Sequence, residues 1–589
     1  MNGVAVGRSF SRLTALDLQP VWNEERTQFM VMTGKIFGGD EKKVELIRRG
    51  HVFQFEKSDA EFILHSLEEW GHQCLADLNG VFAFALYDIE RRTLTIANDR
   101  YGMKPVYYYY KRPSITFAST ISAILEDDRV KREINWEAWR EFFCYGYVLG
   151  TKTFFKNIHS LRNGTILTVT SDEVLSRNYW NYASIRVDYE KTEEQFIDTG
   201  AKLARRAIQR HCIGLQRCTV LISGGYDSRC IAGAISRYTS TSLETFTTRS
   251  FTTTPWSAKD GYSYVDAALG REVAKRLRVP NTYVTTPSNL WQKYFIQKTL
   301  LVDGMCHEHL WMLPLVDRLP RDKVVFDGLG GDVLLKGQFL TRNSLMHTHD
   351  LEKLAGILDR QMRGEETGPD IVSDFFCSPA REGLQSAAYS LLEELSRFRD
   401  HENIITLFSM ENRERNSVSL LSNNIVGSRV PVILPFLDNE LVEFSLSIPP
   451  LMKIESQIYF RILKRLLPDI MRIPSTNFGK TRLLYDLKGL ANRHFLLFVL
   501  QKARYAFAIR VSDTRRKLQR EAIKYLLDLV RSMESPPFLD VNKVSRVARD
   551  CLRMRKPSPL ELNALVAVAE FCIWYNRYFH ETPSSNSKG

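Results

Sequence analysis

Between Phe10 and about Ala123 the apolar positions fall in short runs separated by turn residues, a texture of strands rather than helices. Residues 81–87 (VFAFALY) and 93–98 (TLTIAN) read as two strands joined through a polar turn at 88–92, and residues 106–110 read as a third. Helical text follows at 135–144, and irregular strands occupy 153–181. Together these elements predict a compact, layered α+β unit. From about Thr192 the period lengthens: residues 196–209 bring Phe196, Ile197, Leu203, Ala204 and Ala207 near one face of an amphipathic helix. Residues 218–222, 243–247, 282–284 and 323–326 then read as short buried strands, with helices at 229–236 and 266–277 between them. Strands alternating with helices predict a parallel sheet covered on both faces. Beyond Leu340 the pattern is mainly helical, and only residues 582–589 read as disordered.

Length and composition narrow the field. A chain of 589 residues exceeds a single core and predicts two or three domains. Apolar residues make up 44%, which excludes a disordered composition, and no apolar run is long enough to span a bilayer. The nine cysteines are dispersed without a CxxC pair, which favours reduced thiols and a cytoplasmic setting over a disulfide framework. The net charge of +12 draws many basic residues from 502–556, but too few aromatics interleave with them to argue for nucleic-acid stacking. A solvated helix face accounts for that charge.

Chemistry concentrates in two glycine-rich loops. Ser223-Gly224-Gly225-Tyr226-Asp227-Ser228 lies between a predicted strand ending at Ile222 and a predicted helix. Paired glycines let the backbone approach an anion, the helix start offers free amides, and Ser223 and Ser228 add hydroxyls. Asp227 beside a polyphosphate requires a cation between the two charges, so it reads as a magnesium ligand. Asp327-Gly328-Leu329-Gly330-Gly331-Asp332 follows the strand at 323–326 and supplies a second carboxylate, Asp332. Loops at the ends of parallel strands converge on one crevice. The Walker lysine is absent, which favours binding of a pyrophosphate leaving group over γ-phosphate transfer.

These loops resemble the pyrophosphate loop and the second nucleotide loop of the asparagine synthetase family, which includes β-lactam synthetases and lasso-peptide cyclases. Ser428-Arg429-Val430-Pro431 and Pro435-Phe436-Leu437-Asp438 are similar to a further stretch of that family. Leu78-Asn79-Gly80-Val81-Phe82-Ala83-Phe84 and Asp99-Arg100-Tyr101-Gly102-Met103-Lys104-Pro105 are similar to its glutamine amidotransferase domain, and residues 565–579 with Trp574 to its last helix. The resemblance implies an α/β fold: an Ntn-hydrolase-like (class II glutamine amidotransferase-like) α+β domain over 1–185, then an ATP pyrophosphatase (PP-loop, adenine nucleotide alpha hydrolase-like) parallel-sheet domain over 190–580 with a helical carboxyl-terminal part, and a tail at 581–589. It further implies a ligase that adenylates a carboxylate and passes the acyl group to an amine, with ATP and Mg2+. Ser223, Gly224, Gly225 and Ser228 would cradle pyrophosphate, Asp227 and Asp332 would hold magnesium, and Ile222, Thr248, Asp327 and Gly328 would line the nucleotide. The family's Arg-x-Lys or Arg-Pro-Lys element, which contacts the adenylate and pyrophosphate, is not matched; the corresponding stretch runs from Arg472 to Lys480, where Lys480 or Arg472 would substitute. Glu414, with Glu411, offers a base for the attacking amine, although surface charge on a helix at 405–421 is the simpler reading of both.

Two departures concern glutamine. Active amidotransferases begin with a processed cysteine, whereas position 2 is Asn2, so the reading expects missing opening strands or a misassigned start. The family's Asn-Gly-Glu reads here Thr33-Gly34-Lys35, which reverses a charge where the ligand's amine should sit. Arg12 and Asp59 still match. The expectation is a degenerate glutamine site and a ligase that uses ammonia or a substrate-borne amine, with a small-molecule or peptide carboxylate as substrate and, for a peptide, room for a delivery partner. An RNA-base-modifying PP-loop enzyme is the competing reading. Cys306-His307-Glu308-His309 reads as a helix start lining the pocket rather than a metal set, and His211 as structural.

Overall fold

A computed structural model describes residues 4–7, 18–55, 57–248, 260–363, 371–377, 380–383, 387–475, 514–554 and 559–580. The amino-terminal part is built on a six-stranded antiparallel sheet whose spatial order is Val21–Trp22, Gln28–Ile36, Gly80–Asp88, Thr93–Asn98, Thr165–Val169, Val174–Asn178. Side chains alternate across a strand. Phe82, Phe84 and Leu86 therefore join Met30 and Met32 against Phe62, Ile63 and Leu67 of the helix Asp59–Trp70. Ala83, Ala85 and Ile96 pack with Val106 and Leu161 on the opposite face. With both faces covered, the central strand is apolar throughout. The tyrosine-rich strand Tyr107–Lys111 is not the neighbour of these strands. It pairs with Ser114–Ala118 and Ile158–Ser160 in a separate three-stranded sheet, with Tyr107 and Tyr109 buried.

The second part carries a five-stranded parallel sheet in the order Asn281–Val284, Ser242–Thr248, Arg217–Leu221, Val324–Phe326, Val432–Ile433. Cys218 and Val220 pack toward the helices Glu193–Cys212 and Asp227–Tyr238, whereas Phe246, Val284 and Val325 pack toward Leu290–Leu301 and Pro559–Tyr575. The fifth strand comes from a stretch read as helical; two residues are too few to display a period. From Arg217–Leu221 the chain first builds outward through Ser242–Thr248 and Asn281–Val284, then returns to the other side of the starting strand with Val324–Phe326. The order reverses at that point, where the loops that follow Arg217–Leu221 and Val324–Phe326 come side by side.

The helix expected at 405–421 is α-helical over Ile404–Ser409 and continues as π-helical turns over Met410–Val418 and Leu421–Val426. π-Bulges in helices are frequent at functional sites. The predicted tail at 581–589 lies outside the described residues. No helix among the described residues is long and apolar enough to cross a membrane.

Candidate functional site

The loop after Arg217–Leu221 is held by its own polar groups. Ile222 N–H donates to the Phe246 carbonyl at 2.8 Å, continuing the sheet into the turn. The Ser228 hydroxyl accepts from Ser223 N–H at 3.0 Å and lies 3.0 Å from the Ser223 hydroxyl, which accepts from Gly225 N–H at 3.1 Å. Gly224 N–H donates to Asp266 at 3.0 Å. The helix Asp227–Tyr238 begins without a side-chain cap, so its first amides face the loop unspent. Beneath the turn lies Arg229, fully buried, whose guanidinium donates to the carbonyls of Gly224 (3.1 Å), Ile473 (2.6 Å) and Pro474 (2.8 Å). The motif reading passed over Arg229, because a basic residue in a helix's first turn ordinarily faces solvent.

The second loop continues Val324–Phe326. Asp327 N–H donates to the Ile433 carbonyl at 3.0 Å, and Asp327 accepts from Leu329 N–H at 3.0 Å and from the Ser422 hydroxyl at 3.3 Å. The two loops touch. A Cβ placed on Gly331 would lie 2.5 Å from Asp227 Oδ1, and one on Gly328 would lie 2.8 Å from the Asp227 Cβ. Asp227 and Asp332 therefore share one crevice at the sheet's switch point. Burial raises the Asp227 carboxyl pKa, Lys336 opposes the shift, and the charge of Asp332 adds to it. The Asp227 carboxylate meets the Lys336 ammonium and, at 3.1 Å, the Tyr459 hydroxyl. Thr248 closes the neighbouring strand, its hydroxyl donating to the Val284 carbonyl at 2.8 Å. Asp227 and Asp332, next to uncapped helix amides, form a donor set that fits a divalent cation carrying a polyphosphate, which would take the place the Lys336 ammonium holds beside Asp227.

One wall of the crevice corrects the surface reading of Glu411 and Glu414, since both are buried on the π-helical segment. Arg413 bonds Glu414 at 2.6 Å and stands 3.8 Å from Asp332 and 3.7 Å from Glu308. Burial, then the charge of Asp332, pushes the Glu414 carboxyl up to about 8 against the pull of Arg413. Its Oε2 has no hydrogen-bond partner among the described residues. Cys306–His309 runs into a helical turn, Leu310–Met312, with His309 at its N-cap in a left-handed conformation of φ 77°. His309 lies 3.2 Å from Glu308, while His307 pairs with buried Glu570 at 2.7 Å. His211 is structural, its Nδ1 bonded to the Ala207 carbonyl at 2.7 Å. Arg429 ties down the Leu319 carbonyl at 2.7 Å. Lys480 falls outside the described residues.

In the amino-terminal sheet, Thr33, Gly34 and Lys35 lie on Gln28–Ile36, opposite Ala83, Phe82 and Val81. Gly34 has φ +109°, and a Cβ there would strike the Val81 carbonyl at 2.1 Å, so only glycine fits. Asp59 starts the helix Asp59–Trp70, accepts from Ile36 N–H at 3.2 Å and pairs with the Lys35 ammonium at 2.8 Å. Arg12 lies outside the described residues.

Comparison with known proteins matches residues 4–180 to the glutamine amidotransferase domain and residues 200–477 to asparagine synthase. The expectation that the glutamine-hydrolysing half has been lost is therefore unsupported, because its domain is present. The chain is 34% identical over 209 residues to asparagine synthetase [glutamine-hydrolyzing] 3 of Bacillus subtilis, a match covering 35% of this chain and 33% of that protein. It is 25% identical over 600 residues to asparagine synthetase [glutamine-hydrolyzing] 2 of the same organism, covering 94% and 76%. A match to the amidase ChyE of Penicillium rubens, 25% identical over 246 residues, covers 40% and 35%. Among solved structures, a glutamine phosphoribosylpyrophosphate amidotransferase from B. subtilis aligns over 46% of this chain and 64% of its own at 13% identity and a TM-score of 0.21, too slight a likeness to carry weight.

Proposed function

The chain belongs to the asparagine synthetase family, and on that premise we propose that its crevice adenylates a substrate carboxylate with ATP and passes the acyl group to an amine. The observation that carries this reading is the contact of Gly328 and Gly331 with Asp227, which brings two acidic loops from distant parts of the chain to one switch point. Ser223, Gly224, Gly225, Ser228 and the helix amides hold pyrophosphate; Ile222, Thr248, Asp327 and Gly328 line the nucleotide. Asp227 and Asp332 hold magnesium, which when bound neutralises the phosphate charge as the leaving group departs. A substrate carboxylate oxygen attacks the α-phosphorus and pyrophosphate leaves with the bonding pair. The amine nitrogen then attacks the acyl carbon, its proton passes to Glu414, and AMP leaves. Lys480, or Arg472, contacts the adenylate. An RNA-base modifier is the weaker reading, since it has no use for the amidotransferase domain.

The Lys35–Asp59 pair bears on how the amidotransferase domain would hold glutamine. A carboxylate that would greet glutamine's ammonium is already bound to a cation of the chain itself, and Lys35 repels a second one. Ammonia, free or released from glutamine, or an amine on the substrate is the donor, as asparagine-type amidation and intramolecular amide closure respectively require; a closing amine on the same molecule gains effective concentration. Purified protein is to be mixed with ATP, magnesium and a panel of amino acids and peptides, with glutamine, ammonium or no added amine, and AMP measured. The expected result is AMP formation with one acid class and no AMP from a folded Asp332→Ala variant, the glutamine and ammonium arms identifying the amine donor. AMP at near-normal rate from that variant removes the metal assignment; amide formation driven by glutamine with thiol-dependent release of glutamate identifies glutamine as the donor.

A further inference from the structure

We propose that Glu24, His51, His65 and Glu68 form a four-ligand site for a divalent transition metal, with zinc as the ion that fits. None of these residues takes part in the nucleotide crevice or in the Lys35–Asp59 pair. They come from separate pieces of the amino-terminal sheet domain. Glu24 sits in the turn after Val21–Trp22, His51 in the loop after the helix Asp40–Arg48, and His65 and Glu68 one helical turn apart on Asp59–Trp70. One donor atom from each lies within 4.8 Å of all the others.

The separations suit an ion. His65 Nδ1 is 3.0 Å from Glu68 Oε2 and 3.8 Å from Glu24 Oε2, and His51 Nδ1 is 3.7 Å from Glu24 Oε1 and 3.8 Å from Glu68 Oε2. Ligand bonds of about 2.1 Å set the edges of a tetrahedron at about 3.4 Å, so small side-chain adjustments close the shell. The outer partners are also in place. Val52 N–H donates to Glu24 Oε1 at 2.7 Å, and the Asn23 amide donates to Glu68 Oε1 at 2.8 Å. Glu69 lies 3.4 Å from His51 Nε2, so a proton held there turns the Nδ1 lone pair inward, in the carboxylate–histidine arrangement that orients metal ligands. His65 is 1% exposed, and its Nε2 has no hydrogen-bond partner among the described residues; its Nδ1 edge, facing the carboxylates, fixes the ring. The two imidazoles pack at 4.8 Å, with Phe53 5.0 Å from His65. Two neutral imidazoles and two carboxylates balance a 2+ ion, with His65 buried and Glu24 and Glu68 toward solvent.

All four positions are protein ligands, so the site is structural and clamps the first turn and the 51–52 loop onto the helix that begins with Asp59. The test uses the full chain without an affinity tag, stripped with chelator, reloaded with zinc and desalted before metal analysis, with a parallel cobalt titration. We expect about one zinc retained per chain, a rise in Tm on loading, and visible cobalt bands of a four-coordinate site. His51→Ala and Glu24→Gln, chosen because both positions reach solvent, lose retained zinc and the cobalt bands while keeping the far-ultraviolet dichroism of the parent. Glu69→Gln weakens zinc by about 10- to 100-fold. A parent protein that retains no zinc overturns the proposal, and so does retention unchanged in folded Glu24→Gln and His51→Ala.

Discussion

Glu414 sits fully buried, 2.6 Å from Arg413 on one oxygen and without a partner among the described residues on the other. Removal from water disfavours its charged form, and the neighbouring carboxylate of Asp332 adds to that, so the group loses its proton only near pH 8. A group with this pKa keeps its proton under neutral conditions and accepts one from an attacking amine as the pH approaches 8. The sign is fixed by the direction of the shift. Below about 8 Glu414 is protonated and cannot serve as base, so amide formation should rise tenfold per pH unit up to about 8 and then level off, measured with an amine that stays unprotonated over the range. Glu414→Gln should reduce amide formation by about 10²- to 10⁴-fold while ATP–pyrophosphate exchange, which precedes proton transfer, stays within a few-fold. Equal loss of both reactions would assign Glu414 to the adenylation step instead.

At the scale of elements, the contact between the acidic loop and the helix Asp227–Tyr238 depends on a missing methyl group. Gly331→Ala would place a Cβ 2.5 Å from Asp227 Oδ1, closer than a Cβ approaches a neighbouring heavy atom, so either the loop or the carboxylate must move. A misplacement of about 1 Å at such a centre costs about 100-fold, and we expect that loss in AMP formation with a change in Tm of only a few degrees. A variant that forms AMP at parental rate would show that the loops need not touch. These loops were legible in the amino-acid sequence because glycines at a strand-to-helix turn have a steric meaning of their own. The strand pattern was legible too, since Phe82, Phe84 and Leu86 alternate with Ala83 and Ala85. What escaped was whatever depends on partners far along the chain. Arg229 is a cation whose acceptors are carbonyls at 473 and 474, Val432–Ile433 is a strand only because Val324–Phe326 lies beside it, and the burial of Glu411 and Glu414 is set by packing that no local period records.

Across the whole molecule, the amidotransferase-like part and the synthase part are joined by polar groups that neither could satisfy alone. Asn79 donates to Asp438 at 2.8 Å and accepts from Asn439 N–H at 3.0 Å, while Arg210 binds Asp438 from the synthase side at 2.6 Å. Trp574, at the far end of the chain, packs 5.0 Å from Trp139. Arg415 makes the tie that bears on catalysis. Fully buried, it reaches across to the Ser160 hydroxyl at 2.8 Å, the Leu161 carbonyl at 3.1 Å and the Gly150 carbonyl, from the same π-helical segment that carries Arg413 and Glu414. Arg415→Met keeps much of the bulk but orphans these acceptors, at about 1–3 kcal/mol for each that finds no water. Because Arg415 touches neither nucleotide loop, the loss should appear as a lower Tm, faster proteolytic cleavage between the two parts, and a reduced kcat for amide formation with the KM for ATP unchanged. If instead Tm and kcat both hold and only the KM for ATP rises, the two parts are coupled through the nucleotide loops and not through the segment that positions Glu414.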